Sequence, residues 1–490
     1  MVAAPAFSDV RTRPRPEGRT RPNLEGPRFG IAALVGAGVI VGCYTRALDI
    51  IPQRLGLPSM IAPAAIAAIV LLSWAGARRL RPRGGALVAM VVLAIVHIWL
   101  SLFSVLWAGD RGVALEVARF AAIDAIVLVM VGMLVVDTDS LRLVLVAIVA
   151  AGAAMATLSV FQYLTGTFDR DYFGFATAPL ANVVGEVDSN RIAGPIGDPN
   201  FFAQLLAVSA VLAIHLARHA RLRWEAALLW YAGGICVTGV LFSFSRGGLF
   251  SLVVGLGLTV MLEPVPIHRI IGLAVALAFV VFLVVPQDLA SRLGELKQLI
   301  PGVKTSQNLV DDPALRGRQS EALVAVEQFR DHPLLGVGAG NYKVSYQKYA
   351  RRLGIDQRGE DRSAHSLYLE TAAEHGVVGL AALLGVVAWA MGSLRGARRR
   401  LELLGDREGA AALRAMTLGL VTYLCGGLFL HSAFPLMLWL LVAVAVAAGR
   451  VQAARPSRRF AKPRTPVAKP AATTLLGTAQ VPTALAGPRG

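Results

Sequence analysis

Apolar runs of about 20 residues recur along the whole chain, broken by polar stretches of very unequal length. The runs are continuous rather than alternating. Each therefore predicts a helix able to cross a hydrocarbon layer of about 30 Å, not a strand of a membrane barrel. Twelve spans are expected, at approximately 29–46, 59–77, 86–108, 114–136, 142–164, 200–217, 226–243, 248–263, 268–286, 365–392, 415–432 and 435–449. The longest polar stretch, about 285–364, precedes the tenth span. A second, 165–199, is also sizeable, and the connection SFSRGG from Ser243 to Gly248 is short. The pattern predicts an all-α integral membrane protein of about 12 transmembrane helices, with one long loop that contains short helices of its own.

Composition agrees with this layout. Of 490 residues, 55% are hydrophobic and only 16% charged, too few charges for a soluble protein of this length. A net charge of +17 would suit nucleic acid, but the basic residues sit in short loops and in the two tails. With the N-terminus placed in the cytosol, inside segments hold 29 Lys and Arg. Outside segments hold 7, apart from 12 in the long loop, which the positive-inside rule does not govern. Both tails, 1–28 and 450–490, therefore read as disordered basic cytosolic segments in contact with membrane lipids. The domain between them, 29–449, presents its long loop on the outer face of a bacterial inner membrane. Cys43, Cys236 and Cys425 all lie in apolar runs with no CxxC or Cys/His neighbour, so neither zinc nor redox chemistry is expected.

Three outer features carry candidate chemistry. Arg191 precedes the turn GDPN (Gly197 to Asn200), which halts the chain before the next span. It reads either as a phosphate-gripping fork or as a solvated loop arginine. Arg246 lies in SFSRGG, between two apolar spans. A charge so close to hydrocarbon needs a partner, and the Ser/Gly turn would hold the guanidinium in place. In the long loop, Leu315, Ala322, Val326 and Phe329 have the spacing of one helical face, with Arg318 and Arg330 alongside. HPLLGVGAGNY follows, and its glycines predict a tight turn. Tyr342, Tyr346 and Tyr349 read equally as a sugar-stacking surface or as packing of the loop on itself.

The loop returns to the membrane at DRSAHSLYLETAAEHGVVG (Asp361 to Gly379), which puts His365 at the mouth of an apolar helix. The positive end of a helix dipole disfavours imidazolium, and a neutral ring can take a proton from a hydroxyl. A simple helix-capping histidine is the alternative. Asp124 and His97 are single polar groups inside spans and form no visible relay.

Four segments in this order resemble the O-antigen ligase family: Arg191 with GDPNFFAQLL, FSFSRGGLFSL from Phe242, HPLLGVGAGNY from His332, and AHSLYLETAAEHGVVGL from Ala364. That family includes Wzy-type polysaccharide polymerases and some protein O-glycosylating enzymes, and the likeness covers about residues 150–450. The resemblance implies a metal-independent glycosyltransferase of the GT-C-like helical fold, without a cofactor. It implies transfer of a glycan from undecaprenyl diphosphate to an acceptor hydroxyl on a glycan, lipid or protein. It also implies His365 as the catalytic base, with Arg191, Arg246 and Arg318 on the diphosphate. Asn200, Tyr342 and Tyr368 are expected to face substrate or acceptor. A transporter or flippase of the same lipids, or a membrane scaffold, is the competing reading.

Overall fold

A computed structural model describes residues 31–57, 84–184, 187–262, 313–355, 362–431 and 435–451. The expected spans at 59–77 and 268–286, most of both tails, and the first part of the long loop lie outside the described residues. Those described all fall in one compact unit that ends at Ala453.

Ten of the twelve expected spans can be compared, and each meets a helix. The elements are α1 (Ile31–Tyr44), α2 (Ala47–Arg54), α3 (Gly84–Ser104), α4 (Arg111–Leu134), α5 (Thr138–Thr165), α6 (Pro199–Arg218), α7 (Arg223–Phe242), α8 (Arg246–Leu262), α9 (Pro313–Asp331), α10 (Asn341–Arg352), α11 (Leu367–Leu403), α12 (Arg407–Gly426) and α13 (Pro435–Ala448). Among the described residues six of these, α4, α5, α6, α7, α11 and α12, are long and apolar enough to cross a membrane. A seventh span arises if α1 and α2, bent by 73°, count as one; α3, α8 and α13 are apolar over shorter lengths. The described helices make this a multi-pass helical membrane protein, and they do not by themselves establish twelve spans.

Helix α6 is the centre. Within its span 94% of residues are buried, and it packs on α5, α7, α8 and α12. Its start is set locally. Asp198 accepts from the amides of Asn200 and Phe201, and Pro199 occupies the first turn, where no donor is needed. Small residues then let neighbours approach. At the start of α8, a Cβ on Gly248 would collide with Ala203 of α6, so glycine is what permits this contact. The lipid-facing positions of α3, α4 and α7 carry exposed Trp99, Phe120 and Trp230, as an apolar solvent allows.

Two features depart from the expected helices. The segment 165–199 contains a two-stranded antiparallel hairpin, β1 (Leu180–Val184) and β2 (Val187–Asn190), so the fold is not purely helical. And α11 is broken at Gly376, where φ is 62° and ψ −162°. The backbone of Pro333 to Gly338 passes through that break. Val377 and Val378 donate to the carbonyls of Pro333 and Leu334, while Val337 and Gly338 donate to those of Ala373 and Glu374. A side chain at 376 would strike the Leu334 carbonyl, and the positive φ also favours glycine. The span expected over 365–392 is therefore a short helix joined to a long one.

Candidate functional site

The bundle has one end where the hairpin segment, the α7–α8 turn, α9, α10, the start of α11 and the segment after α12 meet. The latter half of the long loop is fastened there. Asn341 exchanges hydrogen bonds with the Asp110 backbone, its Oδ1 accepting at 2.6 Å and its Nδ2 donating at 3.1 Å. Ala339 N–H donates to Ser104 Oγ, and the Trp107 indole donates to the Leu335 carbonyl. The loop also has its own small core: Val324, Ala325, Tyr342, Tyr346, Tyr349, Ala350, Ala364 and Ala373.

This core corrects one expectation and decides between two alternatives for another. Helix α9 exists, but the side chains it buries most deeply are Glu321, Val324, Ala325 and Gln328, not the face of Ala322, Val326 and Phe329. The buried stripe has ordinary helical spacing but includes two polar residues, which hid it from a hydrophobic pattern. Gln328 serves the loop by donating to the Tyr342 carbonyl and Ser345 Oγ. The three tyrosines are core rather than a sugar-stacking surface. Tyr342 is fully buried, its hydroxyl donating to the Glu321 carbonyl at 2.8 Å. Its amide donates to the Glu374 carboxylate, as does that of Gly340. Gly336, Gly338 and Gly340 all have positive φ, as a tight turn requires. The amides of Gly338 and Gly340 bond to α11, so these groups are not turned outward as an anion nest.

Arg191 and Arg246 share one turn. Arg191 Nε donates to the Ser243 carbonyl at 2.8 Å, and Nη2 reaches Asn200 Oδ1 at 3.1 Å and the Phe244 carbonyl at 3.4 Å. These contacts fix the guanidinium against the turn that ends at Arg246. That turn is rigid: Phe244 has φ 49°, Ser243 Oγ accepts from Ser245 N–H, and Ser245 Oγ accepts from Gly248 N–H to cap α8. Arg246 itself is exposed. Asn200 thus holds an arginine, whereas it was expected to face substrate. Tyr368, expected to face substrate or acceptor, is half-buried, and its hydroxyl donates to the Leu424 carbonyl, tying α11 to α12.

His365 precedes the cap of α11. Ser366 caps the helix at Leu369 N–H, and Leu367 N–H donates to the Gly427 carbonyl. His365 adopts φ 45°, uncommon for a side-chain-bearing residue and held here by the contacts around it. Its side chain is 33% exposed, so the ring is reachable. Nε2 lies 3.9 Å from Glu321 Oε2, and the ring packs edge-to-face on His431 at 5.2 Å. His431 in turn packs edge-to-face on Phe201 at 5.1 Å, next to Asn200. Gly247, next to Arg246, packs on Phe429, two residues before His431. Arg191, Asn200, Arg246, His431 and His365 therefore belong to one connected face.

Burial lowers the His365 pKa below the usual imidazole value, reinforced by Arg318 and Arg362 and opposed by Asp198. The expected direction holds, though burial is its main cause. His431 is pushed down to about 4 by burial and by His365, Asp198 again opposing. Glu321 is raised to about 7 by burial, in spite of Arg362 and Arg318. Arg362 donates to its Oε1 at 3.2 Å. Sequence reasoning missed Glu321, Arg362 and His431. Only the cost of a carboxylate on a buried helical face could have signalled the first. Among the described residues no group of three His, Cys, Asp or Glu side chains stands close enough to hold a metal ion. Asp124 is buried in α4, away from these residues in the chain, and the His97 side chain lies outside the described residues.

No curated protein matches the chain. Residues 231–384 match the family model described as O-Antigen ligase. That segment includes Arg246, Arg318, Glu321 and His365; Arg191, Asn200 and His431 lie on either side of it. Over that segment, about a third of its length, the chain is similar to the O-antigen ligase family.

Proposed function

We propose that the protein is a membrane glycosyltransferase which moves a glycan from undecaprenyl diphosphate to an acceptor hydroxyl on the outer face of the bacterial inner membrane. The observation that carries this reading is the joining of a largely neutral, reachable imidazole to the arginine turn through Asn200, Phe201 and His431. Arg246, with Arg191 behind it and Arg318 near His365, would stabilise the charge that develops on the leaving diphosphate. His365 would take the proton of the acceptor hydroxyl as its oxygen attacks the anomeric carbon. The electron pair of the broken bond leaves on the diphosphate oxygen. Direct displacement inverts the anomeric configuration. Fixed guanidinium groups make a metal unnecessary for holding the diphosphate. Ligase and polymerase fit this site equally, because they share the donor and differ only in acceptor.

The test is a transfer assay in nanodiscs with an undecaprenyl-diphosphate oligosaccharide as donor. Lipid A–core, a second donor molecule and a Ser/Thr peptide serve as separate acceptors. One added step on lipid A–core means ligase, and a ladder means polymerase. Glycopeptide means protein glycosylation. His365→Ala should reduce whichever product forms by about 10²–10⁴-fold. Product with retained anomeric configuration would overturn direct displacement. Undiminished product from the variant would overturn the role of His365.

A further inference from the structure

Glu321 is 4% exposed in its side chain, and its two oxygens are used differently. Oε1 accepts from Arg362; Oε2 is buried, has no hydrogen-bond partner among the described residues, and faces His365 Nε2 at 3.9 Å. A buried carboxylate oxygen left in this state is costly unless something nearby supplies a proton or a charge when needed. We infer that Glu321 is a positioning residue for His365: its carboxylate accepts the Nε2 proton, leaves Nδ1 to take the proton of the acceptor hydroxyl, and supplies the opposite charge once the ring is cationic. The inference rests on the proposed transfer reaction and assigns within it a residue outside the recognised motifs.

The surroundings are built for this role. Helix α9 brings the carboxylate from 44 positions earlier in the chain, and Tyr342 of α10 fixes the α9 backbone at Glu321 itself. Arg362 holds the second oxygen, so the carboxylate has a fixed plane. No bond to Glu321 is made or broken. The proton moves from the acceptor oxygen to Nδ1, and the Nε2 proton remains shared with Oε2. The 3.9 Å separation is longer than a hydrogen bond, and the charge on the ring would draw the pair together.

The charged and titratable groups around the pair are Arg318 on α9, Tyr342 on α10, Arg362 and His365 before α11, Asp198 before α6 and His431 after α12, with Lys343 acting on His431. The sign of the pH dependence follows from them. Glu321 is raised to about 7, so it carries its charge above that value. His365 is lowered, so the ring is already neutral there. Activity that needs both the carboxylate and the neutral ring rises with pH, and its acid limb is set by Glu321 at about 7.

The experiment is the pH profile of kcat for the full-length protein with undecaprenyl-diphosphate oligosaccharide and the acceptor that gives product. The wild-type acid limb should lie near 7. Glu321→Gln, checked for folding by thermal unfolding in detergent, should lose about 10–100-fold in kcat, with the limb moved to lower pH, where His365 alone titrates. A merely structural role would not move the limb. A folded Glu321→Gln protein with the wild-type profile overturns the inference. If the variant does not fold, the wild-type profile decides, because a kcat that stays level through neutral pH and falls only well on the acid side of the ordinary imidazole range would mean that His365 titrates without the carboxylate, and would overturn the inference. The outcomes separate the two levels. Undiminished transfer by His365→Ala overturns the reaction itself, whereas a dead His365→Ala beside an unaffected Glu321→Gln removes only the role of Glu321.

Discussion

The two ends of the bundle handle positive charge in different ways. Where α5, α7 and α12 begin, arginines meet carboxylates: Arg142 with Glu225, Arg221 with Glu408, and Arg398 and Arg414 with Glu402. At the opposite end Arg191 is fixed by two carbonyls and an amide oxygen, acceptors that orient a guanidinium without cancelling its charge. The carboxylate nearest the site, Glu321, is buried and shared between Arg362 and His365. One end closes its charges on themselves, as a structural surface does. The other also carries ion pairs, such as Arg54 with Asp171 and Arg352 with Asp331, but beside His365 it orients Arg191 through neutral acceptors and keeps its imidazoles largely uncharged, which suits an anionic ligand and a proton acceptor.

The largest effect expected from breaking this contrast is at Arg246. Arg246→Gln keeps a polar side chain and removes the charge, and should lower kcat/KM for the lipid-diphosphate donor by about 10²–10³-fold, by analogy with loss of one transition-state donor. The check is steady-state transfer over a range of donor concentrations; an unchanged kcat/KM would remove Arg246 from the site. A smaller effect separates core from contact surface in the loop. Tyr342→Phe deletes one buried hydrogen bond and should cost about 1 kcal/mol in thermal unfolding, with the KM for acceptor unchanged. A raised acceptor KM with normal stability would restore Tyr342 as a binding residue. The smallest belongs to the closed end. Arg221 is largely exposed, so Arg221→Ala should change stability by less than about 1 kcal/mol and leave transfer intact. Loss of activity there would show that the two ends are not separable.

Much of the fold is legible in local signals. Continuous apolar runs mark the helices, Asp198-Pro199 marks the start of α6, and the Ser/Gly turn marks the boundary of α7 and α8. His365 could be singled out because a polar residue at the mouth of an apolar helix is a local pattern. What escaped reading depends on contacts across the chain. The apolar periodicity of α11 runs straight through Gly376, and only the backbone of Pro333 to Gly338 lying in the gap reveals the break. Glu321 and His431 reach His365 from 44 residues before and 66 after, and no spacing rule links them. The buried face of α9 was misassigned because two of its members are Glu and Gln, whose burial makes sense only beside Arg362 and the Tyr342 carbonyl. Tyr342 and Tyr368 looked available because they are polar aromatics in or near a loop; each instead bonds to a backbone carbonyl.

The most direct test of a catalytic role for the end that holds His365 is a single-turnover measurement in nanodiscs. Radiolabelled undecaprenyl-diphosphate oligosaccharide is bound to wild type and to His365→Ala, and donor binding and glycan transfer are read from the same samples. The structure predicts equal binding, with product from wild type and a loss of about 10²–10⁴-fold in the variant. Equal transfer by both proteins, or donor carried across the membrane by both with no product from either, would contradict it.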